Sequence, residues 1–177
     1  PPSKKPRRMN APLTGGKWSL REGGIRVPFV VRGPGIAAGD QCDVPVSGID
    51  ILPTLYELAG GDQLETVQVI DGVSFAPLLL DAHDLKTTEQ LMERGLTWHY
   101  PKFNSWELQT ASSAIRLGHW KLIHNWETNH SGLFNLKTDL SEAFDLSKKL
   151  PALTSALRVA LFAELRAAGQ PVPAVKM

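Results

Sequence analysis

One cysteine, Cys42, is all that the 177-residue chain contains. A lone thiol excludes an intrachain disulfide framework and any zinc site built on cysteines. Long hydrophobic runs are lacking too, since none approaches the roughly 18 apolar residues that a membrane-spanning helix requires. The first residues do not read as a charged, apolar, small-residue leader. Aromatic residues make up only 7% of the chain, and net charge is nearly absent at +1. With 42% hydrophobic and 21% charged residues, wholesale disorder is excluded as well. The length suits one domain, or one large and one small domain, with a real core.

The small net charge conceals an asymmetry. Residues 1–32 carry eight basic side chains against one acid, Glu22, whereas the remaining 145 residues carry 11 basic against 17 acidic. A basic segment attracts anions such as a phosphate or sulfate ester, a nucleic acid or a membrane surface. Lys4–Arg8 reads most simply as a solvated tail. A nucleic-acid arm is disfavoured, because neither interleaved aromatics nor a recognition-helix pattern accompanies the charges.

Thirteen prolines and 15 glycines imply many turns. Pro1–Pro12 reads as irregular loop. Thr14–Gly24 then places Lys17 between two Gly-Gly pairs, where the backbone can take positive φ and approach a ligand closely. Arg26–Arg32 is a short apolar run expected to form a buried strand. Asp50–Gly60 has the pattern of a helix, with Asp50 as N-cap, Gly60 as stop, and Ile51, Leu52, Leu55 and Leu58 as its apolar face. A loop to about Asp71 precedes a turn and short helix over Asp71–Leu80, and residues 81–95 look like polar surface loop. Short β segments follow at Leu96–Tyr100, Ser113–Leu117, Trp120–His124 and Gly132–Leu136, two of them joined by a tight turn at Gly118. A helix from Pro151 to Gly169 repeats leucine every four residues at 153, 157, 161 and 165. The expected organisation is residues 1–95, an α/β portion with too few strands to close a sheet, and 96–177, a small α+β subdomain with the helix packed on an antiparallel sheet.

Few side chains offer chemistry. His119, His124 and His130 lack the helical pairing with glutamate that marks a metalloprotease, and read as structural or surface residues. His99, flanked by Trp98, Tyr100 and Pro101, suits core packing or a substrate contact. No Gly-x-Ser-x-Gly elbow is present, and the glycines around Lys17 match neither nucleotide-binding fingerprint. Lys17 alone stands where a point charge with three donors could meet a tetrahedral anion.

Asn10–Lys17, continuing through Glu22-Gly23-Gly24-Ile25-Arg26-Val27-Pro28, resembles a motif of the sulfatases that use a formylglycine nucleophile. The likeness continues through Ser47–Leu55, Asp71–Leu79, Ala114–Ile123 and Leu133–Glu142, and so covers nearly all of residues 10–170 in the family's order. It implies an α/β fold, namely the C-terminal part of an alkaline-phosphatase-like α/β/α domain followed by a small α+β subdomain. It implies a sulfate-contacting, charge-stabilising role for Lys17, with Glu22 and the neighbouring glycines setting the loop. Trp18 departs from the small residue expected beside that lysine, and His99 is a candidate substrate contact.

The formylglycine motif Cys-x-Pro-Ser-Arg is missing, since Cys42 is followed by Asp43-Val44-Pro45 and reads as a small buried residue. The paired aspartates and the Asp-Asn pair that hold the metal in the family are missing as well. The resemblance therefore implies a C-terminal portion whose partner is the N-terminal remainder of the catalytic domain, which would supply formylglycine and the ligands of Ca2+ or another divalent cation. No metal ligand is assigned within the chain, and the chain alone is expected to be inactive. The implied substrate is an aryl or carbohydrate sulfate ester. A phosphate or phosphonate ester hydrolase of the same superfamily, or a non-catalytic module for anionic glycans, remains an alternative. Compartment stays open, with the resemblance leaning toward periplasm or secretion.

Overall fold

In the four-stranded antiparallel sheet, β1 (Gly95–Tyr100), β2 (Ser112–Leu117), β3 (Trp120–Asn125) and β4 (His130–Asn135) lie side by side in chain order. The computed structural model describes residues 10–61, 70–81, 84–102 and 110–170. The Lys4–Arg8 cluster and most of the loop leading to Asp71 lie outside them. The described residues also form five α-helices: α1 (Glu22–Ile25), α2 (Ile51–Leu58), α3 (Ala76–Leu80), α4 (Leu85–Glu93) and α5 (Pro151–Ala167). The described residues fall into two compact units, one up to Pro28 together with those from Gly95 onward, the other Phe29–Arg94. Residues 10–28 thus group with the sheet, and not with the segment that follows them.

Register explains the first unit. Leu117 pairs with Trp120, so Gly118 and His119 form a two-residue hairpin loop, with Gly118 at φ 56°. Side chains alternate between faces along each strand. The row Thr97, Ile115, Leu122, Leu133 therefore shares one face with the row His99, Ser113, His124, Ser131. Against that face α5 lays Leu157, Leu161 and Leu165, which meet Ile115, Leu122, Leu133 and Trp126 in the core. Pro151 starts α5, where its missing N–H costs nothing, and Gly169 at φ 63° leaves it. The opposite face carries Leu96, Arg116, Lys121 and Phe134. Residues 14–26 pack there.

The segment Phe29–Arg94 has a smaller core of Phe75, Leu78 and Leu91, lined by Val44, Val46, Val73 and Leu79. Its centre is polar. The buried Asp50 carboxylate receives both terminal nitrogens of Arg94, Nη2 at 2.7 Å, together with the N–H groups of Ser47 at 2.6 Å and Val73 at 2.9 Å. Burial by itself would raise the Asp50 pKa, but Arg94 and the two N–H groups outweigh it and hold the acid below its ordinary 3.8. Thr54 Oγ1 donates to the Asp50 carbonyl and accepts from Phe75 N–H.

Several expectations change here. Arg26–Arg32 is not a strand: its backbone pairs with none of the four described strands, and Val30 is 90% exposed. A strand needs a neighbour's ladder of N–H and C=O groups, whatever its own apolar content. Helix α2 forms as expected, but Ile51, Leu52, Leu55 and Leu58 are exposed and the buried side is Asp50 with Thr54. Asp50 does not cap α2 with its side chain, because Arg94, Ser47 and Val73 occupy the carboxylate. Residues 85–93 form α4, capped by Asp84, whose Oδ1 accepts from Thr87 N–H at 2.7 Å. Cys42 is exposed.

Candidate functional site

Lys17 lies exposed at the turn of a loop whose shape is set by glycine backbone. Gly15 takes φ 84°, and Ser19 N–H donates to the Gly16 carbonyl at 2.9 Å. Gly23 N–H donates to the Thr14 carbonyl at 2.8 Å. A β-carbon on Gly23 would sit 2.5 Å from the Gly15 carbonyl oxygen and 2.6 Å from that of Thr14. One on Gly24 would collide with the carbonyls of Gly16 and Ser19. Residues 14–19 therefore lie flush on Gly23-Gly24, which only glycine permits. Trp18, next to the lysine, takes φ 76°, a left-handed conformation that a bulky side chain rarely adopts. Its ring lies 4.9 Å from Lys17 Nζ and 6.3 Å from the ring of Tyr100. Among the described residues no carboxylate pairs with Lys17.

Beneath this loop is a buried charge cluster that the sequence reading did not anticipate. Lys121, with no exposed surface, places Nζ 2.8 Å from Glu22 Oε1 and 2.9 Å from Glu142 Oε1. Glu142 Oε2 accepts from Glu22 N–H at 2.8 Å, and Arg21 Nη1 donates to the Glu142 carbonyl at 2.9 Å. Arg116 and Arg26 each approach Glu22 Oε2 at 3.9 Å. The available signal was Lys121 itself, a lysine in a strand that is otherwise largely apolar.

His99 and Lys17 are not brought together. Lys17 belongs to the loop on the Lys121 face, and His99 lies on the α5 face. Ser113 Oγ accepts from Trp126 Nε1–H at 2.8 Å and lies 2.6 Å from His99 Nδ1. Which of Nδ1 and the Ser113 hydroxyl donates in that contact follows the ring tautomer. Nε2 is buried without a described partner, and desolvation lowers the pKa of the ring. His99 and Thr97 line a cavity of about 350 Å3 with Glu164, Leu165, Ala168 and Gln170. His124 is fully buried between Trp126 and Phe162 with Nδ1 2.9 Å from Ser131 Oγ, and burial lowers its pKa to about 4. It is a core residue.

The residues present do not suit a divalent cation. Among the described residues no three histidines, cysteines or acids converge. The acids nearest the lysine loop, Glu22 and Glu142, already share the Lys121 ammonium.

A glycine-braced loop thus presents Lys17, without an acid partner among the described residues, on an antiparallel sheet backed by one helix. Residues 16–166 match the family of N-sulphoglucosamine sulphohydrolase C-terminal domains, and the chain belongs to that family. It is 31% identical to arylsulfatase K of Gallus gallus over 149 residues, covering 80% of this chain and 26% of that protein. The chain thus spans about a quarter of the length of that relative. Among solved structures, that of Ps i-CgsB in complex with k-i-k-neocarrahexaose superposes with TM-score 0.71 at 29% identity, covering 87% of this chain and 32% of that one. BT1596, a 2-O GAG sulfatase, shares the fold at TM-score 0.59 and 24% identity, over 77% of this chain and 29% of that one. The fold is accordingly the C-terminal part of an alkaline-phosphatase-like sulfatase domain with its small α+β subdomain.

Proposed function

We propose that the protein containing this chain hydrolyses sulfate esters and that Lys17 contacts the sulfate group. The observation that carries this reading is a lysine exposed on a braced loop with no described acid partner, in a chain of the sulphohydrolase family. A fixed ammonium costs little reorganisation when negative charge grows on a tetrahedral sulfuryl group or leaving oxygen. The formylglycine nucleophile and the Ca2+ ligands would come from residues outside this chain, as would the acid–base groups. A divalent cation there would screen the sulfate oxygens. The N-terminal remainder of the catalytic domain would also cover Val30 and the exposed Ile51, Leu52 and Leu55 of α2. A sulfated carbohydrate is the favoured substrate class, supported by the likeness to a protein solved with a neocarrahexaose. His99 lies on the α5 face and not on that of the lysine loop, and is given no substrate contact.

The test is steady-state kinetics on the full enzyme with a sulfated oligosaccharide, an aryl sulfate and an aryl phosphate. Lys17→Ala is expected to lower kcat/KM for sulfate esters roughly 10²–10³-fold, as removal of one charge-stabilising donor does elsewhere. A loss below threefold overturns the assignment of Lys17, and preference for the phosphate ester overturns the substrate class. The 177 residues by themselves should show no turnover, and metal-dependent hydrolysis by them would refute that part.

A further inference from the structure

Lys121 and Glu142 are 99 and 120 residues from Glu22, yet all three meet in one buried cluster. The contacts run in a continuous line toward Lys17. Lys121 Nζ holds the Glu22 carboxylate at 2.8 Å, and Glu142 holds both that ammonium and the Glu22 N–H. Arg21, the preceding residue, is fixed through its guanidinium to the Glu142 carbonyl, and the guanidinium carbon lies 5.3 Å from the centroid of the Phe134 ring. Glu22 leads directly into Gly23-Gly24, and those two bare backbones support residues 14–19 without room for a methyl group. Asn10 Nδ2 closes the far side by donating to the Gly23 carbonyl. Lys17 is carried by the part of the loop that rests on this line. Glu142 itself takes φ 54°, an unfavourable conformation for a non-glycine residue, held by Asp139, which accepts from the following N–H groups of Ala143 and Phe144.

We infer that Lys121 and Glu142 are positioning residues that aim Lys17 through Glu22 and the Gly23-Gly24 platform. This rests on the sulfate-contacting reading of Lys17. It makes the C-terminal sheet a working part of the site, because the fold joins β3 and the segment after β4 to one loop lysine by charge. The chemistry favours such a role over simple stability. Two carboxylates and one ammonium in a closed space are costly to bury, and an apolar contact of similar volume would hold the unit together at least as well. An ion cluster hydrogen-bonded to the loop through Lys121 with Glu22 Oε1 and Glu142 Oε2 with the Glu22 N–H restricts the geometry instead, which is what a loop aiming a point charge requires.

The experiment uses the full enzyme with 5-fluorotryptophan incorporated, so that Trp18 reports on the lysine loop and Trp126 on the sheet core. Glu142→Gln is expected to shift or broaden the 19F resonance of Trp18 and leave that of Trp126 in place. It should lower kcat for the sulfate ester at least tenfold with less than threefold change in KM. In a Lys17→Ala background the same substitution should cost less than threefold, since its effect passes through Lys17. Glu142→Asp should recover part of kcat. An unchanged Trp18 resonance overturns the inference, as does an equal loss in both backgrounds. If Glu142→Gln disturbs Trp126 as well, Glu22→Gln is read by the same criteria from the loop side. If Lys17→Ala leaves activity intact while the Trp18 resonance still moves, the positioning contact stands as structure, but the sulfate reading and the catalytic part of the inference fall.

Discussion

The sheet unit and the segment Phe29–Arg94 both bury charge, and they do it by different routes. In the segment one acid, Asp50, is matched by one arginine and two N–H groups, and the apolar core beside it is small. In the sheet unit one ammonium serves two acids, with arginines at the edge, while an extensive leucine core lies across the sheet from it. The segment is organised around its polar knot and leaves the apolar side chains of α2 exposed. The sheet unit has a leucine core against α5, apart from its charges, and we assign those charges to geometry. A buried ion cluster is thus a scaffold in one region and a locating device in the other.

The sharpest way to break this contrast is Lys121→Ala. It strands two buried carboxylates and should cost the sheet unit about 3–5 kcal/mol, measured by denaturant unfolding with amide exchange resolved by unit. Exchange in Phe29–Arg94 should stay unchanged, and a loss there would erase the distinction. Leu161→Ala, at the centre of the α5 contact, should cost roughly 2–5 kcal/mol, against less than about 0.5 kcal/mol for exposed Leu55→Ala in the isolated chain.

Acid should separate the regions as well. The pKa of His124 is lowered to about 4 from 6.5, chiefly by desolvation. The unfolded chain therefore binds a proton below pH 6.5 that the folded unit refuses until about pH 4, so stability falls as pH drops through that window. The size is on the order of 3 kcal/mol, and His124→Gln should remove most of the slope in pH-dependent unfolding of the sheet unit. His99, lowered in the same direction, leaves a remainder. The Asp50 knot behaves otherwise. Its folded pKa lies below 3.8, so its contribution is complete above that pH and is lost as pH falls through the lowered value. Between pH 6.5 and 4 the segment should hold while the sheet unit weakens. A modest expected effect is that of Asp84→Ala, which loses the cap of α4 and should show as faster exchange of that helix alone.

Local patterns in the sequence carried most of the sheet unit. Alternation located the four strands within a residue or two, Gly118 marked the hairpin, and leucines four apart with Pro151 and Gly169 marked α5. The same logic misled at Arg26–Arg32 and at α2, where apolar spacing was right for burial but no described partner covers those side chains. Helix α4 was missed because its polar sequence hides a cap and only two inward residues, Thr87 and Leu91. Lys17 was legible as a glycine-bracketed cation, whereas nothing local distinguished the face of β1 that His99 would take. A shift of one residue in a strand reverses its face, so His99 and Lys17 came to lie on opposite sides of the sheet.

By itself the sequence determined the strand and helix positions of the C-terminal unit, the loop that offers Lys17 and the family to which the chain belongs. These are properties of short windows, governed by side-chain period, capping and glycine backbone. Only the tertiary structure decided that Lys121, Glu142 and Glu22 form one cluster and that the lysine loop rests upon it. Coulombic pairing in a buried space depends on distance through the fold, and residues 22, 121 and 142 become neighbours only once β-register and the loop's close glycine contact are both in place.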